Sequence, residues 1–242
     1  MAWLAGLALV LATLHLGLWQ LDRAAQKLRW EQDRADRARM PVLDAAGLPA
    51  TLDEVRAAEH RVAVVAGRWL AGHTIYLDNR PMAGRVGFIV LTPLGLADGR
   101  VLLVQRGWWP RDPVDRARIA APLPPAGEVQ VRGRIALAPP RHAELAAETG
   151  GPIRQNVDVS AYAAETRLAL LPCVVVQLDD DAGASPVSDG LGRQWPAPAS
   201  DVHKHYGYAV QWFSLAGLTL GLLVWFRLVR PWRRRRRRDH AE

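Results

Sequence analysis

Cysteine is almost missing from this 242-residue chain, which contains a single one, Cys173. An intramolecular disulfide and a Cys-x-x-Cys motif are therefore excluded, and with them a dithiol redox centre or a copper-transfer site of that type. Cys173 lies in an apolar run over residues 171–176. This context predicts a small buried core residue.

The motifs of hydrolases and nucleotide-binding proteins are absent as well. The chain has no Gly-x-Ser-x-Gly, no His-Glu-x-x-His, no glycine-rich phosphate loop and no paired-carboxylate pattern. The acidic run at 179–181 lacks the spacing and the closing Glu of an EF-hand loop, so we interpret it as a solvated turn. Since the sequence supplies no acid-base or redox constellation, we predict that the protein is not an enzyme.

The net charge of the chain outside its C-terminal end is small. The chain carries +7, but residues 227–242 hold eight arginines against one Asp and one Glu, which leaves about +1 for the rest. Positive residues that follow an apolar helix are typical of its cytoplasmic flank. No basic and aromatic pattern of a known nucleic-acid-binding module accompanies the run, so we expect no binding to nucleic acid.

Two long apolar stretches lie near the ends of the chain. Residues 1–20 predict a first transmembrane helix, because Ala2 to Trp19 is almost wholly apolar and is interrupted only by Thr13 and His15. A cleaved signal peptide is the alternative, but no positive segment precedes the apolar run and no clear cleavage site follows it. The absence of Gly and Pro over 18–39 predicts that the helix continues as a charged extension, residues 21–40.

The other apolar stretch, residues 201–230, predicts a second transmembrane helix with an aromatic interfacial entry. The Arg-rich tail, 231–242, is expected in the cytoplasm. Two spans then place both termini in the cytoplasm and residues 41–200 on the outer side. We therefore predict a protein of the cell inner (plasma) membrane with a periplasmic or extracytoplasmic domain that also contacts membrane lipid.

Residues 41–200 predict a β-rich domain. Short alternating runs separated by turn residues predict six or seven strands, at 61–67, 73–78, 85–94, 100–109, 128–137 and 172–178, with a weaker one at 153–157. Their close spacing favours antiparallel pairing. The predicted fold class is an α+β membrane protein in which two transmembrane helices flank an antiparallel β barrel or sandwich-like domain.

Helices, turns and loops of the domain follow from local signals. Thr51 and Glu54 form a capping-box pattern before a short helix at 52–58, and Ala97-Asp98-Gly99 predicts a hairpin turn. Two further helical stretches are predicted at 114–119 and 160–168. The polar segment 179–199 is interpreted as a linker or an ordered surface loop.

Three features could carry contacts or chemistry. In the second span, Ala216 and the Gly217-x-x-x-Gly221 motif predict close packing against another helix. The first span offers a matching face (Ala5, Ala8 and Ala12), so we expect the two spans to pack together rather than with a foreign helix.

The second feature is the strand end at 105–110, where Arg106 is either solvated or paired with a carboxylate. Gly107 there would allow a bulge or a close backbone approach.

The third feature is a set of histidines at the outer membrane boundary. His205 precedes the second span and His15 lies in the outer third of the first, within roughly 10 Å in depth. His203 offers a competing imidazole. Each could ligate a metal or haem iron, or be a hydrogen-bonded structural residue.

Several motifs follow one another in order along the chain: residues 16–23 with Lys27, Gly67-Arg68-Trp69, Gly84 and Gly87, Thr92-Pro93-Leu94, Asp98-Gly99, the run 104–110, and His205 with the run 208–213. Together they resemble the surfeit locus protein 1 family of cytochrome oxidase assembly factors. Two positions depart from the family pattern. Lys204 stands where the family usually has Asn, and Gln105 where it often has Asn.

The resemblance implies a membrane-bound chaperone of the respiratory chain that binds haem a and assists its insertion into the cytochrome oxidase catalytic subunit. His205 is then the ligand of the haem iron, with Tyr208 and Trp212 shaping the pocket. Haem a synthase is a further candidate partner. The alternative is a purely structural interaction protein that stabilises an oxidase assembly intermediate without haem. A quinol- or haem-modifying enzyme is the least supported interpretation.

Overall fold

A computed structural model describes residues 2–115, 118–141, 151–179, 189–195 and 202–231. The chain divides into two units. One comprises Met1–Asp33 with Pro198–Glu242, and the other comprises Arg34–Ala197. The first unit consists of the two long apolar helices and the second is built on a β-sheet. The predicted fold class is confirmed: two long apolar helices flank a β domain in the sequence.

The first helix, α1, runs from Ala2 to Arg39 without a break, as the absence of Gly and Pro predicted. The last helix, α4, spans Val202–Val224 and continues as one π-helical turn, Trp225–Val229. Both are long and apolar enough to cross a membrane, each with a mean hydropathy of 1.7. Since α4 begins at Val202, His205 lies inside its first turn and not before the helix.

α1 and α4 pack against each other in antiparallel orientation. A Cβ atom added to Gly6 would lie 2.7 Å from Leu223, and one added to Gly17 would lie 2.5 Å from Phe213. The more buried positions of α1 recur at alternating intervals of four and three residues: Gly6, Val10, Thr13, Gly17, Gln20 and Ala24. This is the spacing of a coiled-coil seam, and we refer to these positions and their α4 counterparts as the seam.

The predicted association of the two spans is present, but the predicted contact faces are wrong. Gly217 and Gly221 are exposed, and a Cβ atom added to either would meet no atom within 4 Å. Ala5, Ala8 and Ala12 are exposed as well, whereas Ala216 is buried. The seam follows the heptad spacing of α1 and therefore rotates the alanine face away from α4.

The β domain contains seven strands in one sheet with the order β1-β5-β7-β4-β3-β2-β6. The strands are β1 (Val62–Trp69), β2 (Ile75–Met82), β3 (Arg85–Gly95), β4 (Val101–Pro110), β5 (Glu128–Ala136), β6 (Ile153–Arg154) and β7 (Leu170–Gln177). A further pairing between β1 and β3 closes five of them into a barrel. The barrel interior holds a cluster of buried aliphatic residues from β1, β3, β4, β5 and β7.

Most strand pairs are antiparallel, as predicted, but two are parallel. β4 pairs with β7 and β2 pairs with β6 in parallel register. Antiparallel neighbours can be joined by a tight turn, such as the predicted one around Asp98-Gly99, where Gly99 has φ 84°. β4 and β7 are separated by about sixty residues that include β5, so the chain can return to the same end of the barrel before β7 begins.

Local helix signals were right in two places and wrong in one. α2 (Leu52–Ala58) has the predicted capping box between Thr51 and Glu54, and α3 (Val159–Thr166) begins after the N-cap Asp158. The helix predicted at 114–119 is absent from the residues described there, 114, 115, 118 and 119. Pro113 and the Asp112 side chain, which binds two following backbone N–H groups, form a local turn there instead.

Cys173 is fully buried in the barrel core, as its apolar context predicted. Burial raises the pKa of its thiol to about 12. Because only the thiolate reacts readily, we expect no reaction with Ellman's reagent at about pH 8 in the native protein. Full reaction should follow in denaturant. Rapid labelling of the native chain would show that Cys173 is accessible and contradict this packing.

Candidate functional site

His205 and Gln20 form a polar pair within the helical seam. The Nδ1 atom of His205 lies 2.7 Å from Oε1 of Gln20, and both side chains are partly buried. The pair joins α1 to α4 across 185 residues of sequence. An amide oxygen only accepts hydrogen bonds, so the donor to Gln20 Oε1 is Nδ1–H of His205. In its neutral form the imidazole then has a lone pair at Nε2, the kind of ligand atom that a metal centre requires.

Two of the predicted pocket residues lie on the same side of α4 as His205. At 3.6 residues per turn, Trp212 is rotated by about 20° from His205 and Tyr208 by about 60°. Trp212 is half-buried and Tyr208 is 50% exposed. His203 lies about 160° around the helix from His205 and is exposed. The helix thus brings the predicted trio to one side and separates the competing imidazole from it.

His15 does not join this group. Gln20, which contacts His205, lies five residues further along α1, a rise of about 7.5 Å and a rotation of about 140°. The antiparallel packing of α1 and α4 thus allows His15 and His205 to lie at a similar depth along the helix pair, as predicted. The His15 side chain, however, is exposed and lies outside the seam.

The donor set suits haem better than a bare metal ion. Within the described residues, no group of three His, Cys, Asp or Glu side chains could hold a metal ion. Haem brings four nitrogen ligands of its own and needs one imidazole from a protein. A half-buried histidine whose Nδ1 is engaged, beside a Tyr and a Trp on an apolar helix, fits that requirement.

A buried charge cluster forms the second notable group, within the β domain. Asp189 Oδ2 accepts hydrogen bonds from Arg106 at 3.0 Å and from Arg193 at 2.6 Å. The exposed fraction of these three side chains is 6%, 1% and 4%. The Arg106 guanidinium also lies 5.1 Å from the ring centre of Trp69. Burial lowers the pKa of Arg106, and the Asp189 carboxylate opposes that effect.

The cluster explains the strand motif around Arg106. Of the two alternatives for this residue, pairing with a carboxylate is the correct one. A register shift in the pairing of β3 with β4 marks the predicted bulge. A Cβ atom on Gly107 would lie 2.5 Å from that of Leu191, so the close approach of the 189–195 segment requires glycine. Arg106 therefore has a structural role in attaching this segment to the barrel.

Gln20, Asp189 and Arg193 are the residues of these sites whose contacts the sequence did not reveal. The spacing of Gly6, Val10, Thr13, Gly17 and Gln20 contained a signal for Gln20, because a polar residue at a seam position needs a partner. Asp189 carried no comparable signal within its Gly- and Ser-rich segment. The Arg-rich tail from Trp232 onward and most of the segment 179–199 lie outside the described residues.

The SURF1 family model matches residues 7–217, which include Gln20, the whole β domain and His205. A search of curated proteins finds no significant match. The family match spans far more than half of the chain and agrees with the resemblance found in its motifs. The chain belongs to the SURF1 family, which is known for cytochrome oxidase assembly factors rather than for enzymes.

Proposed function

We propose that this protein binds haem a through His205 and assists its insertion into the catalytic subunit of a haem-copper cytochrome oxidase. The hydrogen bond between His205 and Gln20 is the observation that supports this most directly, because it leaves Nε2 of His205 as a free ligand atom. Family membership supports the role in oxidase assembly. The haem step rests on the resemblance and on this hydrogen bond.

Three side chains of α4 would hold the haem. His205 would supply a nitrogen ligand to the haem iron, while Tyr208 and Trp212 would provide aromatic surface on the same side of α4. A macrocycle with a long apolar tail is suited to a site at the level of the lipid. Because a carrier must also release its cargo, one ligand serves better than a sealed pocket.

The membrane arrangement belongs to the same proposal. Two spanning helices and an Arg-rich C-terminal tail favour both termini in the cytoplasm, with the β domain on the outer side of the inner membrane. His205, in the first turn of α4, would then lie near the outer surface. The oxidase catalytic subunit and haem a synthase are the proposed partners.

A purely structural role is the second candidate, and one observation favours it. A single polar pair within an apolar seam can fix the register of two helices without any ligand, and His205 with Gln20 has that geometry. In this case the protein would hold an assembly intermediate of the oxidase while another factor delivers haem.

Haem content of the purified protein separates the two candidates. Full-length protein from cells that make haem a should show its absorption bands, and His205→Ala should remove most of them. His203→Ala is the matched control, since it deletes an exposed imidazole two residues away and should leave the bands unchanged. If wild type never carries haem yet still co-purifies with the oxidase catalytic subunit, the structural role is correct.

A further inference from the structure

We infer that Gln20 is a positioning residue that holds His205 as the Nδ1–H tautomer, so that Nε2 faces its ligand unprotonated. This inference rests on the proposed haem binding by His205 and adds a second helix to the site. The ligand would come from α4, but its protonation pattern and ring orientation would be set by α1. Neither helix alone would then present a competent site.

The geometry of the hydrogen bond between His205 and Gln20 supports this role of Gln20. The distance of 2.7 Å between His205 Nδ1 and Gln20 Oε1 is that of a short, well-formed hydrogen bond. An imidazole not engaged in this way favours the other tautomer, with the proton on Nε2, where it blocks ligation. Histidines that bind metals generally donate their second ring N–H to an oxygen, which fixes the tautomer and the ring plane. Gln20 Oε1 is placed to accept that hydrogen bond.

The position of Gln20 in the seam supports a specific role. Its α1 neighbours on the same stripe are Gly17 and Ala24, both buried, so a glutamine interrupts a run of small side chains. Gly17 makes room for the Phe213 ring of α4. Along α1, Gly17 lies about one helical turn from Gln20, and along α4, Phe213 lies about two turns from His205. The two helices are thus in contact about one turn along α1 from the Gln20 amide, which itself reaches the imidazole at 2.7 Å.

A polar side chain in such a seam lowers the stability of packing and is expected to be functional or register-setting. The two roles make different predictions. A register-setting pair needs only a hydrogen bond between the two side chains, in either direction. A positioning pair needs the proton on Nδ1 and an acceptor at position 20.

The tautomer can be measured in the absence of haem. Nitrogen NMR of ¹⁵N-histidine-labelled, haem-free, full-length protein in lipid nanodiscs reports which ring nitrogen carries the proton. Comparison with His205→Ala assigns the signal among the seven histidines. Wild type should show His205 protonated at Nδ1. Gln20→Met, which keeps the length of the side chain but removes the acceptor, should shift His205 to the Nε2–H tautomer.

Haem titration of the same variants supplies the second readout. Gln20→Met should weaken haem binding by about 10- to 100-fold, the usual effect of losing the partner of a ligating histidine. Gln20→Glu retains an acceptor oxygen and should preserve both the tautomer and the affinity. Gln26→Met is the matched control, because Gln26 is an exposed glutamine of α1 that accepts a hydrogen bond from Arg23.

The outcomes separate this inference from the proposed function. If His205→Ala loses haem while Gln20→Met retains wild-type affinity and tautomer, Gln20 is not a positioning residue and the proposed function stands. If His205→Ala binds haem like wild type, the ligand assignment fails and the inference with it. A His205 signal protonated at Nε2 in the wild type would overturn the inference by itself.

Discussion

Replacing Asp189 by Asn should lower the free energy of unfolding of the β domain by about 3–5 kcal/mol. The Asp189 carboxylate accepts hydrogen bonds from the guanidinium groups of Arg106 and Arg193, and all three side chains are almost fully buried. Asn keeps the shape and one acceptor oxygen but removes the negative charge. Arg106 would then lose its carboxylate partner, and Arg193 would keep only the largely exposed Asp179, 3.5 Å away. Urea unfolding of the full-length protein in detergent, followed by tryptophan fluorescence, measures the loss.

Two comparisons test the cause of that loss. Asp98→Asn removes the carboxylate of an exposed pair with Arg100 and should cost no more than about 1 kcal/mol. Adding Arg193→Gln to Asp189→Asn removes one of the two buried neighbouring cations and should recover part of the stability. A loss below about 1 kcal/mol for Asp189→Asn would show that the cluster is hydrated and not buried.

Leucine at position 17 should separate the two long apolar helices, whereas leucine at position 217 should not. A Cβ atom on Gly17 would overlap the Phe213 ring at 2.5 Å, while one on Gly217 would meet no atom within 4 Å. Overpacking of this kind costs about 1–3 kcal/mol. Gly17→Leu should therefore shift the helix pair towards separated states, and Gly217→Leu should leave it intact.

Chemical cross-linking in membranes provides the measurement. Cysteines introduced by Gly6→Cys and Leu223→Cys, in a Cys173→Ser background, lie at an observed helix contact and should be joined by a short bismaleimide. The cross-linking rate should fall about fivefold or more with Gly17→Leu. An equal fall with Gly217→Leu would mean that the exposed glycine face, and not the seam, holds the helices together.

How much of the fold was predictable depends on how local its determinants are. The Asp98-Gly99 turn, the capping box at Thr51 and the uninterrupted α1 follow from neighbouring residues, and the sequence indicated each of them. Barrel closure by β1 and β3 and the parallel pairing of β4 with β7 depend on contacts between distant segments. Patterns of hydrophobic alternation contain no information about such partners.

The candidate site shows the same division. The resemblance pointed to His205, Tyr208 and Trp212, which helical spacing puts on one side of α4. Their role in haem binding stays a prediction. The contact of His205 with Gln20 was missed, because the Gly-x-x-x-Gly rule predicted a contact face on α4 through Gly217 and Gly221, with an alanine face on α1. That rule identifies small surfaces but not which of them is used. The heptad spacing of α1 would have been the better guide, since it places Gln20 in the contact.

The central claim is that His205 is the protein ligand of haem a. Titration of the haem-free, full-length protein in detergent with haem a, followed by its absorption bands, tests this directly in wild type, His205→Ala, His203→Ala and His15→Ala. We expect saturable, stoichiometric binding in wild type and in the His203 and His15 variants. His205→Ala should bind at least about tenfold more weakly and lack the bands of an imidazole-ligated iron. Equal binding curves and spectra for wild type and His205→Ala would contradict the claim.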